Sequence, residues 1–227
     1  MIKEMLDMYI EPTVEDIHHR YNSWHHCHGF FMDNHQRLHE EAVQDVAALH
    51  LGFYLASWGM MRGGSNLLQK DYKIHLNFIR TVAGKPDYAA FYTGQLPDEE
   101  HVDILLELVN ETRACYEGFN ISDTLVTKIL MGVFGNIPAY DRYFRKGLRL
   151  HSMKSSLTKA SLIELVRFYC TYQMEFEPYL DNGYTPMKLI DMYFWQCAIF
   201  NKQASKIVAT DFASLNDEGD KVSMVHS

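Results

Sequence analysis

Apolar residues recur at three- and four-residue spacing along almost the whole chain, and no alternating run rich in Val, Ile or Thr reaches the length of a strand. The two periods exclude one another: a helix returns a side chain to the same face about every 3.6 residues, whereas a strand does so at every second residue. A chain patterned in this way can bury its apolar stripes only helix against helix. The expected fold is therefore all-α, a compact bundle of about eight to ten helices.

Breakers and caps set the expected boundaries. Thr-Val-Glu-Asp resembles a capping box with Asp16 in the acidic position, and it predicts a helix from Thr13 to about Phe31 that Gly29 can interrupt. A second helix is expected from His35 to Met61. Its apolar surface, which includes Val43, Val46, Leu49, Phe53 and Tyr54, broadens toward the C-terminal end and predicts a central, largely buried element that Gly63-Gly64-Ser65 terminates. Asn66 to Val82 and Asp98 to Tyr116 follow, with a short element from Tyr88 to Tyr92 between two Gly/Pro turns. Thr124 to Phe134 reads as an apolar helix capped by Ser122 or Asp123. Pro138 to Lys146, Lys159 to Tyr179 and Pro186 to Val208 complete the set. The aromatic residues of the 84–97 region predict that it packs, so residues 1–209 are expected to form a single all-helical domain. Polar dilution from Thr210 predicts a mobile C-terminal tail over 210–227.

Composition removes several classes. At 47% hydrophobic residues, with 13 Gly, 6 Pro and 4 Cys, the chain is neither collagen-like nor a disulfide scaffold nor largely disordered. Against 29 Asp and Glu stand 21 Lys and Arg, for a formal charge of -8. Such a balance opposes indiscriminate binding to polyanions and leaves nucleic acid only a local basic patch. Cys27, Cys115, Cys170 and Cys197 are scattered without a CxxC pair, which reads as reduced cysteines in a cytoplasmic protein. The first ten residues alternate charged and apolar positions, unlike a signal or transit peptide. No membrane partner is expected, because no stretch approaches the roughly 18 uncharged residues of a span.

Three constellations could carry chemistry. His18, His19, His25, His26, His28, His35 and His39 crowd the N-terminal region, and His35 and His39 lie one helical turn apart with Glu40 and Asp45 near enough to add oxygen ligands. Adjacent histidines point about 100 degrees apart on a helix, however, so no single face gathers the cluster and no metal site is assigned. Arg62-Gly63-Gly64 closes a run in which Ala56, Ser57 and Gly59 alternate with large aromatics. It could offer backbone amides and a guanidinium to a phosphate or carboxylate; the plainer reading is a tight helix crossing with Arg62 paired to an acid. The third candidate is Lys128 in its apolar helix, where burial would make the amine easier to deprotonate and so more nucleophilic, with Asp141 following. Snorkelling of Lys128 and helix capping by Asp141 are the plainer alternatives. Asp191, on the apolar final helix, needs a donor such as Arg62, Lys188 or a tyrosine hydroxyl.

Residues 118–144 resemble the region of helix-hairpin-helix DNA glycosylases in which a turn and a lysine-bearing apolar helix precede a Pro-Val-Asp element. Here the turn offers Gly118 alone where that family has Leu-Pro-Gly-Val-Gly, and Pro138-Ala139-Tyr140-Asp141 is one residue longer. The resemblance implies a helix-hairpin-helix-like central unit that holds a nucleic-acid phosphate. It also implies Lys128 as the nucleophile toward a sugar and Asp141 as support for the developing positive charge. More widely, Arg20-Tyr21-Asn22-Ser23-Trp24, the Trp58 run, Val126 to Phe144 and Met187 to Gln196 resemble an uncharacterised family of bacterial all-helical proteins. Three functional classes follow in order: a nucleic-acid-associated, glycosylase-like domain; a non-enzymatic helical protein that binds a protein partner or forms a homo-oligomer; and a metalloenzyme using the N-terminal histidines. No cofactor is expected.

Overall fold

Ile2, Met5, Leu6 and Tyr9 fall at i, i+3, i+4 and i+7, and all four are buried, so helix α1 (Ile2–Glu15) forms ahead of the first helix expected from the sequence. The computed structural model describes residues 1–62, 66–99, 101–116, 118 and 121–201. Thr13 is not a cap: it lies inside α1 and donates its hydroxyl to the Ile10 carbonyl at 2.7 Å. Asp16 ends α1, and its carboxylate accepts the His18 amide at 2.8 Å. After a 3₁₀ turn at Arg20–Asn22 comes α2 (Ser23–Asn34). One expected helix is thus two, parted at the turn that Asp16 starts.

Helix α3 (Glu41–Ser57) is shorter than expected because His35–Arg37 is a separate 3₁₀ turn. It is also only half buried. Val43, Ala47, Leu51, Tyr54 and Leu55 face the core, whereas Val46, Leu49 and Phe53 are exposed, so apolar residues on all sides did not mean burial on all sides. The expected helix from Asn66 to Val82 is instead a chain of short pieces, with 3₁₀ turns at Asn66–Gln69 and Tyr72–His75, then Leu76–Phe78 running into a π turn at Ile79–Ala83. Pro86–Thr93 forms a further 3₁₀ segment. Four longer helices follow: α4 (Val102–Ala114), α5 (Asp123–Val133), α6 (Arg142–Leu150) and α7 (Lys159–Thr171). α7 stops where Tyr172 leaves helical geometry (φ -114°, ψ 23°), and Gln173–Phe176 and the 3₁₀ segment Glu177–Asn182, with Pro178 in its first turn, precede α8 (residues 186–201).

All eight helices feed one hydrophobic core with Trp24, Phe31, Phe134, Phe144 and Phe194 among its largest fully buried members. α6 and α8 cross closely at Gly147, where an added Cβ would lie 2.0 Å from the Phe194 carbonyl oxygen. That contact brings α8 against α6 and, through it, against the segment joining α5 to α6. Among the described residues there is no strand, and no helix is long and apolar enough to cross a membrane. Gly63, Gly64 and the expected tail at 210–227 lie outside the described residues.

Two core histidines tie stability to pH. His75 is fully buried with its Nδ1 2.8 Å from the Tyr116 hydroxyl, and His28 is buried with its Nδ1 3.2 Å from the Val133 carbonyl. Burial opposes the charged ring and lowers both from the ordinary 6.5 to about 4. Between those values the unfolded chain binds more protons than the folded one, so stability falls as the pH falls, by an amount on the order of 3 kcal/mol for each residue once both forms are protonated. Urea unfolding should show full stability above the unfolded-state value and a steady loss toward pH 4. His75→Asn and His28→Gln should each flatten that slope, and a stability independent of pH across the window would contradict the assignment.

Candidate functional site

The chain is buried without a break from Leu125 to Tyr140, through the end of α5 and across the irregular segment that leads to α6. Inside a helix the backbone partners itself, but an irregular buried segment cannot, and each amide or carbonyl left unpaired costs about 1–3 kcal/mol. Side chains from three helices meet that demand. Thr127 on α5 accepts the Tyr140 amide at 2.9 Å, while Thr124 and Arg145 donate to the Tyr140 carbonyl at 2.9 and 3.0 Å. Asp191 on α8 accepts the Ala139 amide at 3.1 Å, and Thr185 donates to the Gly135 carbonyl at 2.5 Å. Asn136 is the exception, since neither atom of its buried side-chain amide has a partner among the described residues.

This scaffold explains why Pro138 does not start a helix as expected. Asp141 is the stronger start: its Oδ1 accepts the amides of Tyr143 and Phe144 at 2.9 and 3.0 Å, capping α6. Its second oxygen, Oδ2, is thereby aimed at Lys128 Nζ, 3.1 Å away. Lys128 sits on α5, which Ser122 caps through the Leu125 amide at 3.3 Å, and its side chain is 5% exposed against 15% for Asp141. The ammonium also lies 4.8 Å from the centre of the Trp58 ring. Asp141 therefore serves as both a cap and an ion-pair partner.

A second pair stands behind the first. Lys188 Nζ meets Asp191 Oδ2 at 3.1 Å and the Tyr9 hydroxyl at 3.3 Å, and lies 5.5 Å from the Trp58 ring. Burial lowers the Lys188 pKa; Asp191 opposes that shift, and the charge on Lys128 adds to it. Of the donors considered for Asp191, Lys188 is the one the fold supplies, together with the Ala139 amide.

Above the pairs opens a cleft of about 310 Å³. Lys128 and Asp141 reach it from α5 and α6, and Arg20, Arg62 and Arg142 line it with the rings of Trp58, Tyr143 and Trp195. Tyr21 stacks on Trp58 at 5.3 Å between ring centres, and Tyr9 on Tyr21 at 4.6 Å, so the aromatic wall is backed by a ladder of rings. Arg20 spans this wall, 4.9 Å from the Trp58 ring, with one nitrogen donating to the Ser57 carbonyl at 3.2 Å. Arg142 lies 4.7 Å from the Tyr143 ring. Among the described residues none of the three arginines has a carboxylate partner. Trp58 adds a buried indole N–H with no acceptor among the described residues. Among the described residues the cleft thus carries three arginines without a carboxylate partner and one Lys–Asp pair.

Lys128, Asp141 and Arg62, singled out from the sequence, lie in this one cleft; Gly63 and Gly64 fall outside the described residues. The histidines diverge. His35 stacks on Tyr92, His39 reaches the Gln36 carbonyl, His19 packs on Tyr21, and His25 and His28 turn to another cavity. Among the described residues no three His, Cys, Asp or Glu side chains converge as a metal ion requires. Arg20, Trp58, Arg142 and Trp195 were not singled out as site residues. The Lys188-x-x-Asp191 spacing on an otherwise apolar helix was the visible sign of the second pair. Comparison with protein families, curated proteins and solved structures finds no match.

The double role of Asp141 can be separated by substitution. Asp141→Asn keeps a good cap but strands the Lys128 ammonium, at a cost of about 2–4 kcal/mol, whereas Lys128→Met leaves a carboxylate still holding two amides and costs about 1 kcal/mol. Urea denaturation of both single variants and the double variant should yield a coupling of at least about 1 kcal/mol. Strict additivity would mean that the two side chains do not act as a unit.

Proposed function

We propose that the chain is a nucleic-acid-associated protein of the helix-hairpin-helix, glycosylase-like kind, and that the cleft above Lys128 receives one unpaired nucleotide. The observation that carries this reading is the convergence of three guanidiniums, without a carboxylate partner among the described residues, and a set of aromatic rings on a single lysine–aspartate pair. Guanidiniums bind phosphate through paired donors, and a base of any kind can lie against an indole or phenol face, so the two halves of a nucleotide find separate partners in one cleft. An overall charge of -8 confines such binding to this face.

In this reading Lys128 faces the sugar. Asp141, 3.1 Å away, takes the proton that the amine must lose, and the nitrogen then attacks C1′ as the bond from C1′ to the base breaks. The base leaves with the electron pair of the broken bond and takes the proton that Asp141 holds; a proton from the new C1′–N centre passes to the ring oxygen as the sugar ring opens, and a protonated imine to Lys128 remains until water releases it. The resemblance of residues 118–144 to the glycosylase region supports Lys128 as the nucleophile; for Asp141 it implies support of the developing positive charge, and its part as proton acceptor rests on its contact with Lys128.

Fluorescence anisotropy with a labelled single strand should show binding at low salt that weakens as salt rises, with a slope that drops by about one for each of Arg20→Ala and Arg142→Ala. Borohydride added to the protein with duplexes carrying damaged bases should trap an adduct that Lys128→Met abolishes. Failure to retain any strand at low salt would overturn the proposal; binding without an adduct across a broad lesion panel would leave a nucleic-acid site without glycosylase chemistry.

A further inference from the structure

A second cavity, about 630 Å³ and larger than the first, opens between α2, the turn after Pro86–Thr93 and the start of α8. It shares no lining residue with the cleft above Lys128. Among the described residues its walls include no Asp, Glu, Lys or Arg. Its ionisable groups are His25 and His28, both lowered to about 4 chiefly by burial, and Tyr184, raised to about 12 by burial, so all three are neutral near pH 7. A cavity of this size and neutrality suits a small uncharged molecule, whereas an anion would be stripped of water and find no counter-charge.

The polar atoms on the wall narrow the choice. The Val133 carbonyl can only accept, so the proton of the neutral His28 ring sits on Nδ1 and leaves Nε2 as an acceptor. His28 makes its one hydrogen bond through Nδ1, and its Nε2 is not sealed in the core but open on the cavity side, without a bond to a described residue. The Tyr184 hydroxyl and the His25 ring nitrogens likewise take no hydrogen bond from the described residues. The rings are flat walls in their own right: His28 stacks on Trp24 at 4.7 Å between centres with planes 17° apart, and His25 lies 4.5 Å from Tyr184. Gly29 completes the geometry, because a Cβ built there meets nothing within 4 Å and the α2 backbone is bare where it faces the cavity.

We infer that this cavity is a second binding site, for an uncharged planar heteroaromatic molecule that lies along the bare face of α2 and gives an N–H to His28 Nε2. The site is independent of the nucleic-acid reading of the first cleft. The unpartnered acceptor selects for a donor on the ligand, the ring walls select for a flat body, and the missing charges select against acids and phosphates.

Benzimidazole, its N-methyl derivative and benzoate are three probes of similar size that separate these features. Saturation-transfer NMR near neutral pH, with quenching of tryptophan fluorescence as a titration, should show saturable binding of benzimidazole. N-methylation, which removes the donor, should weaken binding roughly tenfold, and benzoate should not compete. Gly29→Leu fills the empty space on a helix that tolerates leucine better than glycine, so it should abolish binding while keeping or raising the melting temperature. Lys128→Met should leave benzimidazole binding unchanged. The inference is overturned if benzimidazole does not bind at millimolar concentration, if benzoate binds as well, if Gly29→Leu binds undiminished, or if Lys128→Met removes the binding.

Discussion

An irregular stretch of backbone buried between two helices has to be hydrogen-bonded from outside, and the stretch from Gly135 to Asp141 dictates much of what surrounds it. Thr127 and Asp191 take its amides, while Thr124, Thr185 and Arg145 serve its carbonyls. Placing a carboxylate in the core to hold the Ala139 amide requires a cation beside it, and Lys188 supplies one. Using Asp141 as the cap of α6 leaves a second carboxylate oxygen facing inward, and Lys128 meets it. The two lysine–aspartate pairs are thus consequences of burying one loop.

Buried ion pairs of this kind seldom add much to net stability, since desolvation offsets most of their attraction, but removing the carboxylate and stranding a buried ammonium is expensive. The arrangement makes the positions of Lys128 and Asp141 rigid. Asp141 is held by two amides, Lys128 by Asp141 and the Trp58 ring, and the ring by the Tyr21 and Tyr9 stack. A preorganised amine and carboxylate below a rim of guanidiniums is chemically more than a packing device needs. Those arginines are exposed and free of carboxylate partners among the described residues.

What the sequence made legible was local. Spacing alone identifies an all-helical chain, and α5 with its Ser122 cap emerges within a residue of its expected limits, because a polar cap, an apolar stripe and a closing glycine all agree there. The pairing of Lys128 with Asp141 rested on a local resemblance within residues 118–144. The half-exposed face of α3 could not be read, since Val46, Leu49 and Phe53 look like core residues until the neighbours that cover the opposite face are known. The fragmented region from 66 to 83 keeps helical spacing without keeping a helix, so its periodicity was true and its continuity was not. The aromatic wall was hidden for a different reason: Trp58, Tyr143 and Trp195 come from three separate regions of the chain and meet only in the fold, where the packing of α8 on α6 at Gly147 brings Trp195 beside Tyr143.

The central claim is that side chains from α5 and α8 hold the buried segment before α6 as firmly as the helices hold themselves. Native-state hydrogen exchange at the amides of Ala139 and Tyr140 tests it most directly. If Asp191 and Thr127 hold these amides as described, both should exchange only through global unfolding, with the same free energy and the same denaturant dependence as core amides of α5. Rapid exchange of either amide through local opening, while α5 stays protected, would contradict the account.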